Sequence, residues 1–441
     1  MRRHHKVELF FLSLFFFSSS LNAQQQITLD QVIALAIEKN YDIQLAKNTS
    51  ETAAKNDRYS FGVLTPQINA TGSTVWNNND QKVEFENTAI NRTGTAESNV
   101  LSGSVQLVWT LFDGTKMFAT RERLGVLASQ GELNVKEQMV SSIASVINNY
   151  YSVVRQKQQL IAIRELMSIT EERVKLAEKK LQVGTGSKPE LLQAKVDLNA
   201  NKTLLIQQET LLIQLKELLN GLVGLQLPTP YDVSDSILIN LDLKQEEVSA
   251  NIENKNFALQ SSLRDINVAE LSLRERKGER SPIINFNASY NYTSADFTQV
   301  VNINNPIKST SDGYNYGLSL SFPILNGFNI TRNIQQAKIT SSRSQLLYDQ
   351  LKQTTDINVR NAYVNYDNAK KVLLLEEENI LLAKENVVIA LESFKQGVAT
   401  FIELRTAQQS LADGYNRLIN SRYLAKIAET ELLRLSGGLL R

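Results

Sequence analysis

Gly184-Thr185-Gly186-Ser187-Lys188-Pro189-Glu190-Leu191 returns 213 residues later as Gly397-Val398-Ala399-Thr400-Phe401-Ile402-Glu403-Leu404. In each stretch a glycine ends a helical pattern, where a left-handed backbone suits a residue without Cβ. Ser187 or Thr400 then opens the next helix, and the Glu three residues on completes a capping box. Pro189 falls in the first helical turn, where its missing N–H does no harm. The same offset carries Leu111-Phe112-Asp113-Gly114 onto Ile324-Leu325-Asn326-Gly327 and Tyr150 onto Tyr363. It also carries Ala194 onto Ala407, and Leu222-Val223-Gly224 onto Leu435-Ser436-Gly437. Upstream the offset becomes 216, with Asn40-Tyr41 on Asn256-Phe257 and Thr65-Pro66-Gln67-Ile68 on Ser281-Pro282-Ile283-Ile284. The difference places a surface loop of unequal length between about Trp76 and Leu107. The chain therefore reads as one pattern written twice, over 24–227 and 228–441, with Pro228 and Pro230 at the join.

Outward from the two glycine turns lie long helical stretches. No Pro occurs from Gly114 to Gly184 or from Gly327 to Gly397. Each stretch would span ~105 Å as one helix at about 1.5 Å per residue. Ile143, Ile147, Tyr150, Val154 and Ile161 step by three, four or seven, as along a coiled-coil seam. Return helices end at Gly224 and Gly437. Each copy thus predicts a long antiparallel hairpin with a tight tip. Ahead of the strands, Thr28-Leu29-Asp30-Gln31 predicts a helix running to about Tyr59, with a second-copy partner from about Lys244 to Gly278.

Two strands per copy precede each hairpin. Ile68, Ala70, Gly72, Thr74 and Trp76 alternate with polar residues, as do Val105, Leu107, Trp109 and Leu111. In the second copy Ile284, Phe286, Ala288, Tyr290 and Tyr292 form one such series. Tyr314, Tyr316, Leu318, Leu320, Phe322 and Ile324 form the other. Period two over about ten residues, apolar on one face and small-polar on the other, fits a transmembrane β-strand. Trp76, Trp109, Tyr290, Tyr292 and Phe322 are candidate membrane-interface aromatics, because amphipathic rings settle at the headgroups.

The first residues predict an exported protein. Arg2, Arg3, His4, His5 and Lys6 are followed by the mostly apolar run Val7–Phe17, then Ser18-Ser19-Ser20 and Leu21-Asn22-Ala23. This is the charged, apolar and small-residue order of a secretory signal peptide over 1–23. The apolar run is well short of the ~20 residues of a spanning helix. Its removal takes away both histidines of the chain.

Over 441 residues the net charge is +1 and there is no Cys. Disulfides, thiol nucleophiles, thiolate metal sites and an N-terminal lipidated Cys are excluded, and no basic excess points to a nucleic acid. A Gly-rich phosphate loop, a Gly-x-Ser-x-Gly elbow and a His/Cys cluster are all missing. No catalytic residue, metal site or cofactor is expected.

Four strands per chain cannot close in lipid, where a sheet has no tolerated edge. Several chains are needed: eight strands from two, or twelve from three. In this order of elements the chain resembles the TolC-type outer-membrane efflux proteins across essentially its whole mature length. The resemblance rests on the duplicated strand–strand–hairpin plan, the tips at Gly184–Leu191 and Gly397–Leu404, Ala194 and Ala407, and the ends at Gly224 and Gly437. It implies an α+β membrane protein forming a homotrimer. Four β-strands per chain would complete a 12-stranded barrel, and the long hairpins would form an α-helical periplasmic tunnel. It also implies docking to a periplasmic adaptor and an inner-membrane pump or secretion ATPase. Many relatives carry a lipidated N-terminal Cys; here anchoring falls to the barrel in the outer-membrane lipid.

Carried onto this sequence, the resemblance makes Gly184, Gly186, Ser187, Gly397 and Thr400 adaptor-docking tips. Glu403 matches a position of the acidic periplasmic constriction, whereas the second acid expected three residues on is Thr406. Glu403, Glu190, Arg405 and Lys188 are gate candidates, with Lys395 as a further ion-pair former. For both glutamates the competing reading is a helix cap. The competing function is an exported structural or adhesive coiled-coil protein whose strands pack as a soluble sheet.

Overall fold

The structure, a computed structural model, describes residues 25–227, 231–234, 236–301 and 306–440. The expected leader over 1–23 and the prolines Pro228 and Pro230 lie outside the described residues. The chain begins with β1 (Gln25–Ile27), α1 (Leu29–Lys39) and α2 (Tyr41–Arg58). Strands β2 (Gln67–Val83) and β3 (Arg92–Phe112) lead into α3 (Lys116–Gln182) and α4 (Lys188–Leu222). After β4 (Tyr231–Val233) come α5 (Gln245–Ser249), α6 (Ile252–Lys255) and α7 (Phe257–Gly278). Strands β5 (Ile283–Gln299) and β6 (Lys308–Ser321) then lead into α8 (Asn329–Lys395) and α9 (Phe401–Ser436). No helix among the described residues is long and apolar enough to cross a membrane.

The helix expected from Thr28 to Tyr59 is broken at Asn40, and its partner is broken at Ala250–Asn251 and at Asn256. The reason is local hydrogen bonding. Asn40 Oδ1 accepts from the backbone N–H of Asp42 at 3.0 Å and of Ile43 at 3.2 Å, so it caps a new helix instead of continuing the old one. Asn256 Oδ1 does the same for Leu259 N at 3.1 Å, and its Nδ2 donates to the Leu435 carbonyl at 3.0 Å.

The four long strands form one antiparallel sheet in the order β2-β3-β5-β6. Register sorts its side chains. Ile68 lies opposite Leu107, Leu107 opposite Ala288, and Ala288 opposite Tyr316. Ala70, Val105, Tyr290 and Tyr314 form the next row on that face. The other face carries small uncharged groups tied across the strands, with Thr71 and Ser104 hydroxyls at 2.8 Å and Asn287 Nδ2 donating to Ser319 Oγ at 2.9 Å. Phe322 and Ile324 fall just past the end of β6, because the chain turns there toward α8. At both strand-to-helix turns two successive residues have positive φ: Gly114 (75°) with Thr115 (70°), and Gly327 (61°) with Phe328 (61°). Glycine takes the first of these left-handed positions without penalty, while Thr115 and Phe328 are held in it against their ordinary preference.

The described residues fall into two compact units, each drawing on both sequence copies. One holds Val146–Ile239 and Leu373–Lys426 with the described part of Met1–Ala36. There β1 pairs in parallel with β4, and Lys157 Nζ holds β4 through Asp232 Oδ2 at 2.5 Å and the Val233 carbonyl at 3.0 Å. Its core at the hairpin tips is Val174, Ala194, Phe394, Phe401 and Leu404. The other holds Ile37–Ser145, Asn240–Val372 and the described part of Ile427–Arg441, and includes the sheet. Its helical core includes Leu259, Val359, Tyr366 and Leu432. In that unit Lys370, 213 residues after Lys157, donates to the Leu241 carbonyl, so each copy anchors a connecting segment with the equivalent lysine.

Candidate functional site

The hairpin tips are built from two superimposable caps. Gly184 has φ +77° and Gly397 φ +80°, the left-handed region where a Cβ is disfavoured. Gly184 N donates to the Leu181 carbonyl at 3.1 Å and Thr185 N to the Lys180 carbonyl at 2.9 Å. Gly397 N donates to the Phe394 carbonyl at 3.2 Å and Val398 N to the Ser393 carbonyl at 2.9 Å. Both are Schellman closures. A side chain cannot be added at Gly186 without movement, since a Cβ there would sit 2.8 Å from Lys180 Cβ. Val183, Val398 and Ile402 are exposed apolar groups beside these turns.

The restarts of the return helices differ. Thr400 and Glu403 form a reciprocal capping box: Glu403 N donates to Thr400 Oγ1 at 3.2 Å, and Thr400 N donates to Glu403 Oε2 at 2.6 Å. Ser187 Oγ receives Glu190 N at 3.5 Å, and the Glu190 carboxylate makes no return bond among the described residues. Glu403 is thereby held at the start of α9, while Glu190 keeps its oxygens for other partners.

Above the tips a polar cluster joins α3, α4 and α9. Arg173, 2% exposed, donates from Nη2 to Asp197 Oδ2 at 2.5 Å and from Nη1 to Gln408 Oε1 at 2.7 Å. Its guanidinium lies 5.0 Å from the centroid of the Phe401 ring. Arg405, mostly exposed, also reaches Asp197 Oδ2, at 3.2 Å. Burial pulls the Arg173 guanidinium down from its ordinary range, against the raising effect of Asp197. Lys395 pairs with Glu172 at 3.0 Å, and Lys180 Nζ donates to the Phe394 carbonyl at 2.7 Å. Lys188 has no ion pair among the described residues. Sequence reasoning picked out Arg405 and Lys395 but missed Arg173 and Asp197. A charge in a long helix ordinarily reads as solvated, and only the packing shows this one buried.

The aromatics fall on definite rows of the sheet. Trp76 lies opposite Asn99, and Asn99 lies opposite Asp296, which pairs with Lys308 at 3.2 Å. Trp109 lies opposite Phe286, and Phe286 opposite Leu318. Ten residues of β3 separate Asn99 from Trp109. At about 3.4 Å per residue that is ~34 Å along the strand, or ~26 Å of height at a tilt near 40°. Trp109 Nε1 donates to the Leu64 carbonyl at 2.9 Å. Tyr290 and Tyr292 sit between the two Trp rows, opposite Val105 and Gly103. Phe322 follows β6 and is exposed. Among the described residues no group of three or more His, Cys, Asp or Glu is placed to hold a metal ion.

The chain combines a four-stranded sheet, apolar on one face and small-polar on the other, with two long helical hairpins. The family described as outer membrane efflux protein matches residues 32–225 and 248–438, and the chain belongs to that family. It is similar to the cation efflux system protein CusC of Escherichia coli K12, at 21% identity over 92% of this chain and 86% of CusC. It is also similar to the outer membrane efflux protein BepC of Brucella suis, at 22% identity over 93% of this chain and 86% of BepC. The Campylobacter jejuni CmeC outer membrane channel has the same fold, with a TM-score of 0.76 and 19% identity over 93% of this chain and 85% of CmeC. The protein is thus an outer-membrane efflux channel that extends into the periplasm, with a helical tunnel and a β domain.

Proposed function

We propose that the protein is the exit duct of a tripartite efflux or type I secretion assembly. In this reading it passively conducts substrates delivered by a periplasmic adaptor and an inner-membrane pump or secretion ATPase. The observation that carries the reading is the sheet: register separates an apolar from an uncharged polar face, while β2 and β6 each have one edge unpaired among the described residues. Three copies close those edges into a 12-stranded barrel with its apolar face in lipid. The repeats 24–227 and 228–441 each supply two strands and one hairpin. Trp76 and Trp109 mark the two faces of the bilayer, since their rows are spaced close to the ~25 Å apolar band of such barrels. Phe322 is a further interface aromatic in this reading, whereas Tyr290 and Tyr292, lying between the two Trp rows, face the apolar band instead.

At the hairpin tips Gly184, Gly186, Ser187, Gly397 and Thr400 receive the adaptor, because a tight turn of small residues leaves backbone open to a partner. Glu403 and Glu190 contribute negative charge at the constriction, and Arg405 and Lys188 are its basic counterparts. Three copies of Glu403 attract cations there; unchanged cation selectivity in Glu403→Gln would sink that role. The chain has no Cys, so Gly184→Cys or Gly397→Cys introduces a single thiol for cross-linking. An adaptor captured at either tip is the expected result, and capture of none contradicts docking. Release from membranes by salt alone would instead favour the exported structural or adhesive coiled-coil protein.

A further inference from the structure

We propose that the acidic, apolar face of α8 packs in a fixed register against the basic, apolar face of α4 in the next copy of this chain, as an antiparallel coiled coil. The inference rests on the homotrimeric duct read above and adds which helices meet and which residues share a layer. In the unit that holds the hairpin tips the helices stand in the row α4–α3–α9–α8. Arg164 of α3 donates to Glu209 of α4 at 3.0 Å, the Tyr415 hydroxyl of α9 to Glu165 of α3 at 2.5 Å, and Arg417 of α9 to Glu376 of α8 at 3.1 Å. The ends of the row, α4 and α8, each carry a second heptad seam that their own neighbours leave open. On α8 Leu373, Ile380 and Val387 are buried, whereas Leu375, Glu378, Leu382, Glu385, Ile389 and Glu392, stepping by three and four, are all exposed. On α4 the exposed steps are Val196, Asn199, Thr203, Ile206, Thr210 and Ile213. Leu382 is 60% exposed and Ile206 65%, so both seams ask for cover.

Height sets the register. Ala194 and Phe394 belong to one core cluster at the tips, so α4 leaves and α8 arrives at a common level. Rotation about an axis along the duct keeps that level in the next copy. Counting away from it brings Leu382 beside Ile206 and Leu375 beside Ile213, with Glu385 beside Thr203 and Glu378 beside Thr210. Apolar layers thus alternate with layers of acid against hydroxyl. Lys202 flanks the α4 seam level with Glu385, and neither has an ion pair among the described residues. Glu209, level with Glu378, is already neutralised by Arg164. Two α8 seams placed together would set glutamate against glutamate, so the acidic seam selects the α4 seam and not itself. A contact of unlike faces is heterologous and closes into a ring, as the unpaired edges of β2 and β6 also require.

The chain has no Cys, so a pair of introduced thiols reports one contact. Purified full-length protein carrying Leu382→Cys and Ile206→Cys is expected to give a covalent trimer on a non-reducing gel after mild oxidation. Leu382→Cys with Ile213→Cys, one heptad out of register, should give several-fold less. Lys202→Glu sets like charges beside Glu385 and should slow the in-register cross-link several-fold, and adding Glu385→Lys to the same chain should restore it. Four results overturn the inference while leaving the duct reading standing: trimers without the in-register cross-link, a link closed within one chain, a charge swap that restores nothing, or capture of an adaptor by Leu382→Cys in whole cells in place of a second copy. Protein that is monomeric by mass overturns both.

Discussion

The two hairpin tips share a backbone and differ in what their side chains secure. Both close on a left-handed glycine with the same pair of carbonyl bonds. At the second tip Thr400 and Glu403 hold each other, and Leu404 behind them is fully buried. At the first tip Ser187 offers one long bond, and Leu191 is only half-buried. The first hairpin carries instead the buried Arg173–Asp197 pair, where the second has Asn386 and Ser410. One pattern has thus been secured in two ways: by apolar packing and capping in the second copy, and by a buried charge in the first. The acid that caps is Glu403, whereas the Glu190 carboxylate makes no bond back to Ser187 among the described residues.

The largest test of this contrast is Asp197→Ala. It strands the buried Arg173 guanidinium and should cost about 3–5 kcal/mol of local stability at the tips, read by hydrogen exchange. Ser410→Ala, its counterpart in the other copy, should stay within about 0.5 kcal/mol. Next is Leu404→Ala, which empties a fully buried site and should cost about 2–5 kcal/mol; Leu191→Ala must cost clearly less, or the packing contrast is wrong. Thr400→Ala should loosen the start of α9 by about 1 kcal/mol. Ser187→Ala should loosen α4 by a smaller amount in the same exchange experiment, and equal effects would erase the capping distinction. The smallest effect on stability belongs to Glu403→Gln, since Gln still completes a capping box. Its effect should appear in bilayer recordings as reduced cation selectivity.

Much of this was legible in residues. The glycine turns, the Ser/Thr-x-x-Glu restarts and the period-two strands report local backbone needs, and local needs are written locally. The register of the sheet confirms the apolar face predicted from alternation alone. The breaks at Asn40 and Asn256 were not foreseen, although the Asn-aromatic pair recurs at both sites. An asparagine is tolerated inside a helix, and only its side-chain bond to the next turn reveals a cap. The pairing of β1 with β4 was hidden for another reason: three-residue strands 206 residues apart carry no pattern. Arg173 was hidden because nothing in a coiled-coil sequence distinguishes a solvated arginine from one buried against Asp197.

The claim that the chain lines a conducting duct is tested most directly by inserting the purified protein into planar bilayers. Discrete conductance steps of uniform size are expected, with larger steps in Arg405→Ala if its bond to Asp197 holds the tips together. Absence of any conductance from trimeric, membrane-inserted protein carrying Arg405→Ala or the native residue would contradict the duct.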